Sequence, residues 1–341
     1  MSGAKERPLL AITMGDPAGT GPEILTKSLA EAEIRQVCRP VVIGDAATMK
    51  EALAITGCPG EVRAIEDVSE ARFDPGLIEV VDLANVDLGR LERGRVNAMC
   101  GQAAYESIER ATRLTLAGTA DAIVTSAISK EALNNAGHRF DGHTGLLAHL
   151  CEAPDVTMML VAGTLRVAHV STHVALREAI ERVRPERILK VLELAHDGIR
   201  RLGVERPRLA VAGLNPHAGE GGLFGDEDSK HITPAVAEAR RRGFDVSGPH
   251  PGDTVFFRTL QGEFDGAIAM YHDQGHVAAK MLGIWLGVNV TLGLPVIRTS
   301  VEHGTSFDKA GQGTADPRSM NEALKLASTM AMTRRSDSIG S

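Results

Sequence analysis

With 341 residues, 43% of them hydrophobic, the chain can bury a core sized for two lobes or one large α/β unit, and with aromatics at only 3% the packing falls to Ala, Val, Leu and Ile. A net charge of -7 argues against nucleic acid or an acidic membrane as the main partner, and Arg240, Arg241 and Arg242 read as a solvated helix face. Cys38, Cys58, Cys100 and Cys151 form no C-x-x-C pair, which disfavours a disulfide framework and a zinc knuckle and suits a reducing cytoplasm.

The first residues, MSGAKERP, lack an apolar signal core, and no later stretch approaches the roughly 20 apolar residues of a membrane span. Leu9 to Met14 is an apolar run that stops at Gly15-Asp16-Pro17-Ala18-Gly19-Thr20-Gly21-Pro22-Glu23, with helical character from Ile24 to Ala32. This is strand, Gly-rich turn and helix with a proline near the first helical position. Neither G-x-G-x-x-G nor a Walker motif is present there. Further strand-like runs are Val41 to Ile43, Leu77 to Val81, Ala122 to Val124, Met158 to Val161 and Leu165 to Val170, most of them separated by helical stretches such as Ala103 to Ala117. After Pro185 the pattern predicts a helix through Arg201, a strand from Arg208 to Gly213, a long glycine-rich loop and a helix from Thr233 to Arg242. Ala267 to Met270 is a strand emptying into Tyr271-His272-Asp273-Gln274, Ser319 to Met332 a closing helix, and TRRSDSIGS a frayed polar tail. The alternation predicts an α/β protein, two α/β/α lobes around a cleft with a mainly parallel sheet covered on both faces. The expected lobes are 9–140 with 300–334, carrying much of the cofactor side, and 141–299, carrying metal and dimer contacts.

Three groups of residues bear chemistry. His173, His217 and His272 each follow an apolar strand, and imidazoles gathered at strand ends suit a divalent ion with an open coordination position; with 12 histidines, some also reach strand ends by chance. His143, Thr144, Lys280, Asn289 and Arg298 offer donors for a phosphate or carboxylate, although a single lysine or arginine is more often a salt-bridge partner. His143 and Thr144 open a short apolar stretch, so the backbone N–H groups of a helix start can join them. His303-Gly304-Thr305 with Asp308 and Gly311 resembles the H-G-[ST]-x-x-D-x-A-G loop on which isocitrate and isopropylmalate dehydrogenases hold the adenosine part of their cofactor. A plain glycine-rich turn is the other reading of that loop.

In sequence order, I-T-M-G-D-P-A-G-x-G-P-E at Ile12 to Glu23, G-H-T at Gly142 to Thr144, N-P-H-A-G-E at Asn215 to Glu220, Y-H-D-Q-G at Tyr271 to Gly275 and G-L-P-x-I-R-T-S at Gly293 to Ser300 resemble the 4-hydroxythreonine-4-phosphate dehydrogenase family. The resemblance implies a divalent metal on His173, His217 and His272, the last from the partner subunit, and hence a homodimer with a shared site. It also implies substrate contacts from His143, Thr144, Lys280, Asn289 and Arg298. Gly222-Leu223-Phe224-Gly225-Asp226-Glu227, His276 and Phe307-Asp308 are similar to the branch acting on 4-phospho-D-threonate and 4-phospho-D-erythronate; the vitamin-pathway enzyme typically has leucine where His276 stands. Ala278-Ala279, Gly252 and Glu302 depart from the vitamin-pathway pattern.

The expected reaction is NAD-dependent oxidation of a 3-hydroxy acid followed by loss of CO2, giving dihydroxyacetone phosphate from a 4-phosphosugar acid, or 3-amino-2-oxopropyl phosphate from 4-phosphooxy-L-threonine. Asp273 and Lys280 are the candidate proton handlers, with Asp273 alternatively orienting a metal-bound histidine. Zinc is the first expectation for the metal, with magnesium, manganese or cobalt as alternatives. A metal-dependent hydrolase, a silent phospho-ligand sensor and a cyclic-diol dehydrogenase are the rival readings.

Overall fold

The computed structural model describes residues 7–283 and 285–339. They form two compact units, one of residues 7–154 and 294–339 and the other of 155–293; the sequence had suggested divisions near 140 and 299.

In the first unit the strands are β1 (Leu9–Thr13), β2 (Arg39–Gly44), β3 (Glu61–Ile65), β4 (Leu77–Asp82) and β5 (Ala122–Thr125); in the second, β6 (Thr157–Ala162), β7 (Leu165–His169), β8 (Leu209–Ala212), β9 (Val246–His250), β10 (Gly266–Ala269) and β11 (Gly287–Leu292). The chain then returns to the first unit with β12 (Ile297–Val301). In the first unit the strand order is β3-β4-β2-β1-β5-β12 with every pair parallel. Its central strands are buried along their whole length, as LLAIT in β1 shows, because helices cover both faces. The second runs β11-β6-β7-β10-β8-β9, with β6 antiparallel to both neighbours and the remaining pairs parallel. Its core is mostly aliphatic, Leu160, Val167, Ala210 and Ala267 packing with Val255 and Phe256. The α/β class with a mainly parallel sheet is as expected.

Helices form where the sequence places their start signals. Gly21–Ala30 carries Pro22 in its first turn. Ala98–Leu116 starts five residues before the expected Ala103 because the Asn97 side chain caps it, accepting from Met99 N at 2.8 Å. Pro185–Arg200 buries Ile188, Val191, Leu192, Ala195 and Ile199, a helical stripe. The closing helix, Arg318–Ile339, corrects the expected frayed tail; Gly340 and Ser341 lie outside the described residues. The reason is an anchor: Arg335 donates from Nε and Nη2 to the two Asp121 oxygens at 2.8 and 2.7 Å, and Asp121 also accepts from Leu9 N.

Parallel register decides which loops meet. Thr13 pairs with Ile43 and Thr125, and Thr125 with Ser300, so Gly15–Thr20, Ser126–Ser129 and the loop after Val301 leave one edge of the first unit's strands. In the second unit Ala269 pairs with His169 and Ile268 with Val211, so the segments after β7, β10 and β8 leave one edge side by side. The four cysteines are free, and among the described residues no helix is long and apolar enough to cross a membrane.

Candidate active site

The second unit places His173, His272 and His217 after the carboxyl ends of β7, β10 and β8, three neighbouring strands. His173 and His272 line one cavity of about 430 Å³ with Tyr271 and Asp273, their ring centroids 5.4 Å apart. His217 lines a second, of about 610 Å³, to which Tyr271 and Asp273 also contribute. His272 Nδ1 is bonded to Asp273 Oδ1 at 2.7 Å, which leaves Nε2 as the ring's donor atom. Imidazoles such as these, that of His272 oriented by a carboxylate, fit a borderline divalent ion in donor chemistry. Among the described residues, no group of three or more His, Cys, Asp or Glu stands close enough to hold one.

Behind His272 the imidazoles continue inward. His276 stacks on it with centroids 3.7 Å apart, and His169 lies 4.8 Å beyond His276. Burial pushes His276 down to about 4 and His169 to about 3, with the neighbouring imidazoles adding to it, so both are neutral at physiological pH. Gly275 permits the arrangement: a Cβ there would stand 2.5 Å from His169 Nε2. Gln274 ties two strand ends together, accepting from Met270 N and donating to Gly213 O, both at 2.7 Å.

His217 sits on backbone that L-residues avoid, with φ of 52°, 54° and 42° at His217, Ala218 and Glu220. Such strain persists only where the surroundings over-determine it. Here Asp228 does so: its buried carboxylate accepts from Leu214 N at 2.8 Å, Asn215 N at 3.1 Å and Asn215 Nδ2 at 3.0 Å, while Glu227 takes the same amide at 2.7 Å. The sequence marked Glu227 only as part of a branch motif and missed Asp228; an acid twelve or thirteen residues after Asn215 is too distant a signal.

In the first unit Arg298 is 2% exposed and donates from Nη2 to Thr125 Oγ1 at 2.6 Å. Burial lowers its pKa to about 9, still charged at neutral pH. His143 opens the helix His143–Leu150 with Thr144 beside it. Burial, then the Arg298 charge, holds the His143 pKa well below the ordinary value, and the Ser126 backbone accepts a ring N–H. The buried His143 Nε2 has no hydrogen-bond partner among the described residues.

The remaining predicted residues are placed as follows. Lys280 ends the helix His272–Lys280, exposed, and its charge helps depress His276 and Asp273. Asn289 lies on β11 opposite Leu160, its buried Oδ1 unbonded among the described residues. In the loop after β12, His303 Nδ1 is bonded to Gly304 O at 2.8 Å, Thr305 O accepts from Thr20 N and Oγ1, Asp308 O accepts from Gln312 Nε2, and Gly311 takes φ of 82°. Sequence reasoning also missed Asp16, a buried acid in the turn after β1. Its Oδ1 accepts from Ala18 N at 2.9 Å, and burial raises its pKa to about 6.

Known proteins similar to the chain span nearly all of it. A D-threonate 4-phosphate dehydrogenase of Cupriavidus necator is 50% identical over 96% of this chain and 98% of its own length. A 4-hydroxythreonine-4-phosphate dehydrogenase of Geobacter metallireducens is 45% identical over 97% of each. The crystal structure of a 4-hydroxythreonine-4-phosphate dehydrogenase from Klebsiella pneumoniae superposes with a TM-score of 0.88 at 47% identity, covering 95% of this chain and 99% of that one. The class so defined is an α/β dehydrogenase. Residues 36–327 match the family described as PdxA, pyridoxal phosphate biosynthetic protein PdxA. The chain belongs to that family.

Proposed function

We propose that this chain oxidises a 4-phosphorylated 3-hydroxy acid with NAD and releases its carboxylate as CO2, acting on 4-phospho-D-threonate or 4-phospho-D-erythronate to give dihydroxyacetone phosphate. What carries the reading is the 50% identity, over nearly the full chain, to a relative named for D-threonate 4-phosphate. The stoichiometry is simple. The C3–H leaves as hydride to NAD and the C3 hydroxyl loses its proton, giving a 3-oxo acid; the C1–C2 bond then breaks, CO2 departs, and a proton returns to C2.

His173, His217 and His272 are the residues that would hold a divalent metal. When bound, the metal supplies a Lewis acid beside the substrate oxygens and NAD supplies the hydride acceptor. The protein's own groups do the rest. Asp273 keeps the His272 proton on Nδ1. Arg298 brings a buried positive charge and His143 a buried ring nitrogen, to which Thr144 and the helix N-terminus add donors for the phosphate and its neighbouring hydroxyl. Lys280 and Asn289 contact the acid, Lys280 or Asp273 moves the proton, and His303, Gly304, Thr305, Asp308 and Gly311 receive the adenosine part of NAD. The working form is a cytoplasmic homodimer whose metal site takes His272 from the partner chain, with zinc as the first candidate ion.

A second reading, 4-phosphooxy-L-threonine as substrate, is favoured by the similarity to the Geobacter relative. The test is NADH formation by purified protein with NAD and Zn²⁺, Mg²⁺, Mn²⁺ or Co²⁺, offering the three phosphorylated acids separately. Preference for either sugar acid upholds the proposal, preference for the amino acid selects the second reading, and silence with all three overturns both.

A further inference from the structure

The carboxylate of Glu23 is turned toward the loop that follows β12. It is 2% exposed, in the first turn of the helix Gly21–Ala30, and its two oxygens accept separately from Gly311 N at 2.5 Å and Gly313 N at 2.7 Å. One helical turn later, Lys27 Nζ donates to Gly313 O at 2.6 Å and Ala315 O at 2.7 Å. Spacing of i and i+4 puts both side chains on one helix face. Four backbone groups of residues 311–315 are therefore held by two charged side chains of a single helix. The same segment grips the loop again at its start, where Thr20 N and Oγ1 both meet Thr305 O, at 3.0 and 3.1 Å.

These contacts set backbone shape. Gly311 and Gly313 have φ of 82° and 67°, left-handed conformations in which successive N–H groups turn toward one point, and Glu23 occupies that point. Hydrogen bonds to a charged group are roughly twice as strong as neutral ones, which suits them to fixing an irregular loop. A glutamine cannot replace the acid: it offers one oxygen and two N–H groups, so either Gly311 N or Gly313 N would face another donor.

We infer that Glu23 and Lys27 are positioning residues for NAD, fixing residues 303–315 in the form that receives the adenosine part without touching the cofactor themselves. This rests on the cofactor role given to that loop under Proposed function.

The experiment compares wild type, Glu23→Gln and Lys27→Met by calorimetric NAD binding and by steady-state kinetics with the preferred acid. Loss of one charged hydrogen bond corresponds to roughly a tenfold rise in Kd and KM for NAD in Glu23→Gln, with a smaller rise in Lys27→Met. The acid's KM and the kcat at saturating NAD are expected to stay within about twofold, the split that separates positioning from general damage. Unchanged NAD affinity, or equal losses in NAD affinity, acid KM and kcat, would overturn the inference. If Glu23→Gln does not fold, Lys27→Met decides alone by the same split. A wild type that binds NAD but turns over none of the three acids would sink the functional reading while the Kd comparison still judges this one. A wild type that binds no NAD sinks both.

Discussion

The imidazoles of His272 and His276 lie face to face, centroids 3.7 Å apart and planes 10° from parallel. His276 Nδ1 is bonded to His272 O at 3.1 Å, so the stack is fixed to the helix turn that carries it. With Asp273 holding one edge of His272 and His276 backing one face, the ring has little freedom. His276→Leu is expected to keep the fold and lower the affinity of the metal-free protein for Zn²⁺ by about tenfold, the usual scale for losing a ligand's support. Calorimetric titration reads this; unchanged affinity would mean that Asp273 orients His272 unaided. His217→Ala, which removes a proposed ligand itself, is expected to abolish activity and reduce metal content while leaving the circular dichroism spectrum intact.

Arg298 is buried against Thr125, and its charge is felt by His143. Arg298→Ala is expected to raise KM for a 4-phosphorylated acid by at least 10²-fold, the effect of losing a buried charged contact, and to affect an unphosphorylated analogue far less. Equal loss with both would refute a phosphate role.

Asp228 binds two backbone N–H groups and a side-chain amide from within the protein. Asp228→Ala orphans the two backbone N–H groups, the Asn215 amide keeping its bond to Glu227, and is expected to cost roughly 2–4 kcal/mol of stability. The strained turn at His217–Glu220 should relax as its clamp goes, lowering metal affinity as well. Urea unfolding and metal titration check the two effects separately; a stability loss with metal affinity unchanged would show that the turn holds its shape without Asp228.

Asp16 gives stability a pH dependence of definite sign. Burial raises its native pKa from the ordinary 3.8 to about 6, against the opposing pull of the Ala18 and Ser129 backbone N–H groups. Below about pH 4 it is protonated in folded and unfolded states alike. As pH rises toward 6 the unfolded chain gives up this proton while the native state retains it, so stability falls; above that both states are ionised and the loss is constant, about 3 kcal/mol in all. Asp16→Asn is expected to remove this component, leaving a flatter profile between pH 4 and 6 in urea midpoints. A profile identical to wild type would refute the shifted carboxyl.

The sequence was most legible where residues are buried on every side. Apolar runs such as Leu9 to Met14 show both faces of a strand at once. β3 was missed because EVRAI alternates in exposure and carries charge, and β12 because IRTSV puts an arginine and two hydroxyls among only two aliphatic residues. The three histidines were readable because each follows a recognisable strand, whereas the adjacency of those strands is set by a β7-β10-β8 order that no local pattern contains. His276 was noticed as a branch marker, but its contact with His272 follows from a helical turn that only the backbone displays. Asp16, Glu23 and Asp228 serve main-chain groups, and such duties leave no spacing to search for.

Thr125 and Arg298 touch although 173 residues separate them, because β5 and β12 are neighbours in one sheet and the whole second unit intervenes. During synthesis, β5 must wait with the backbone groups of one edge unpaired until β12 leaves the ribosome, whereas β6 to β11 are contiguous and can close first. The later-completed fold is thus the one that begins the chain, and β5 is the strand a nascent-chain chaperone has most reason to shield.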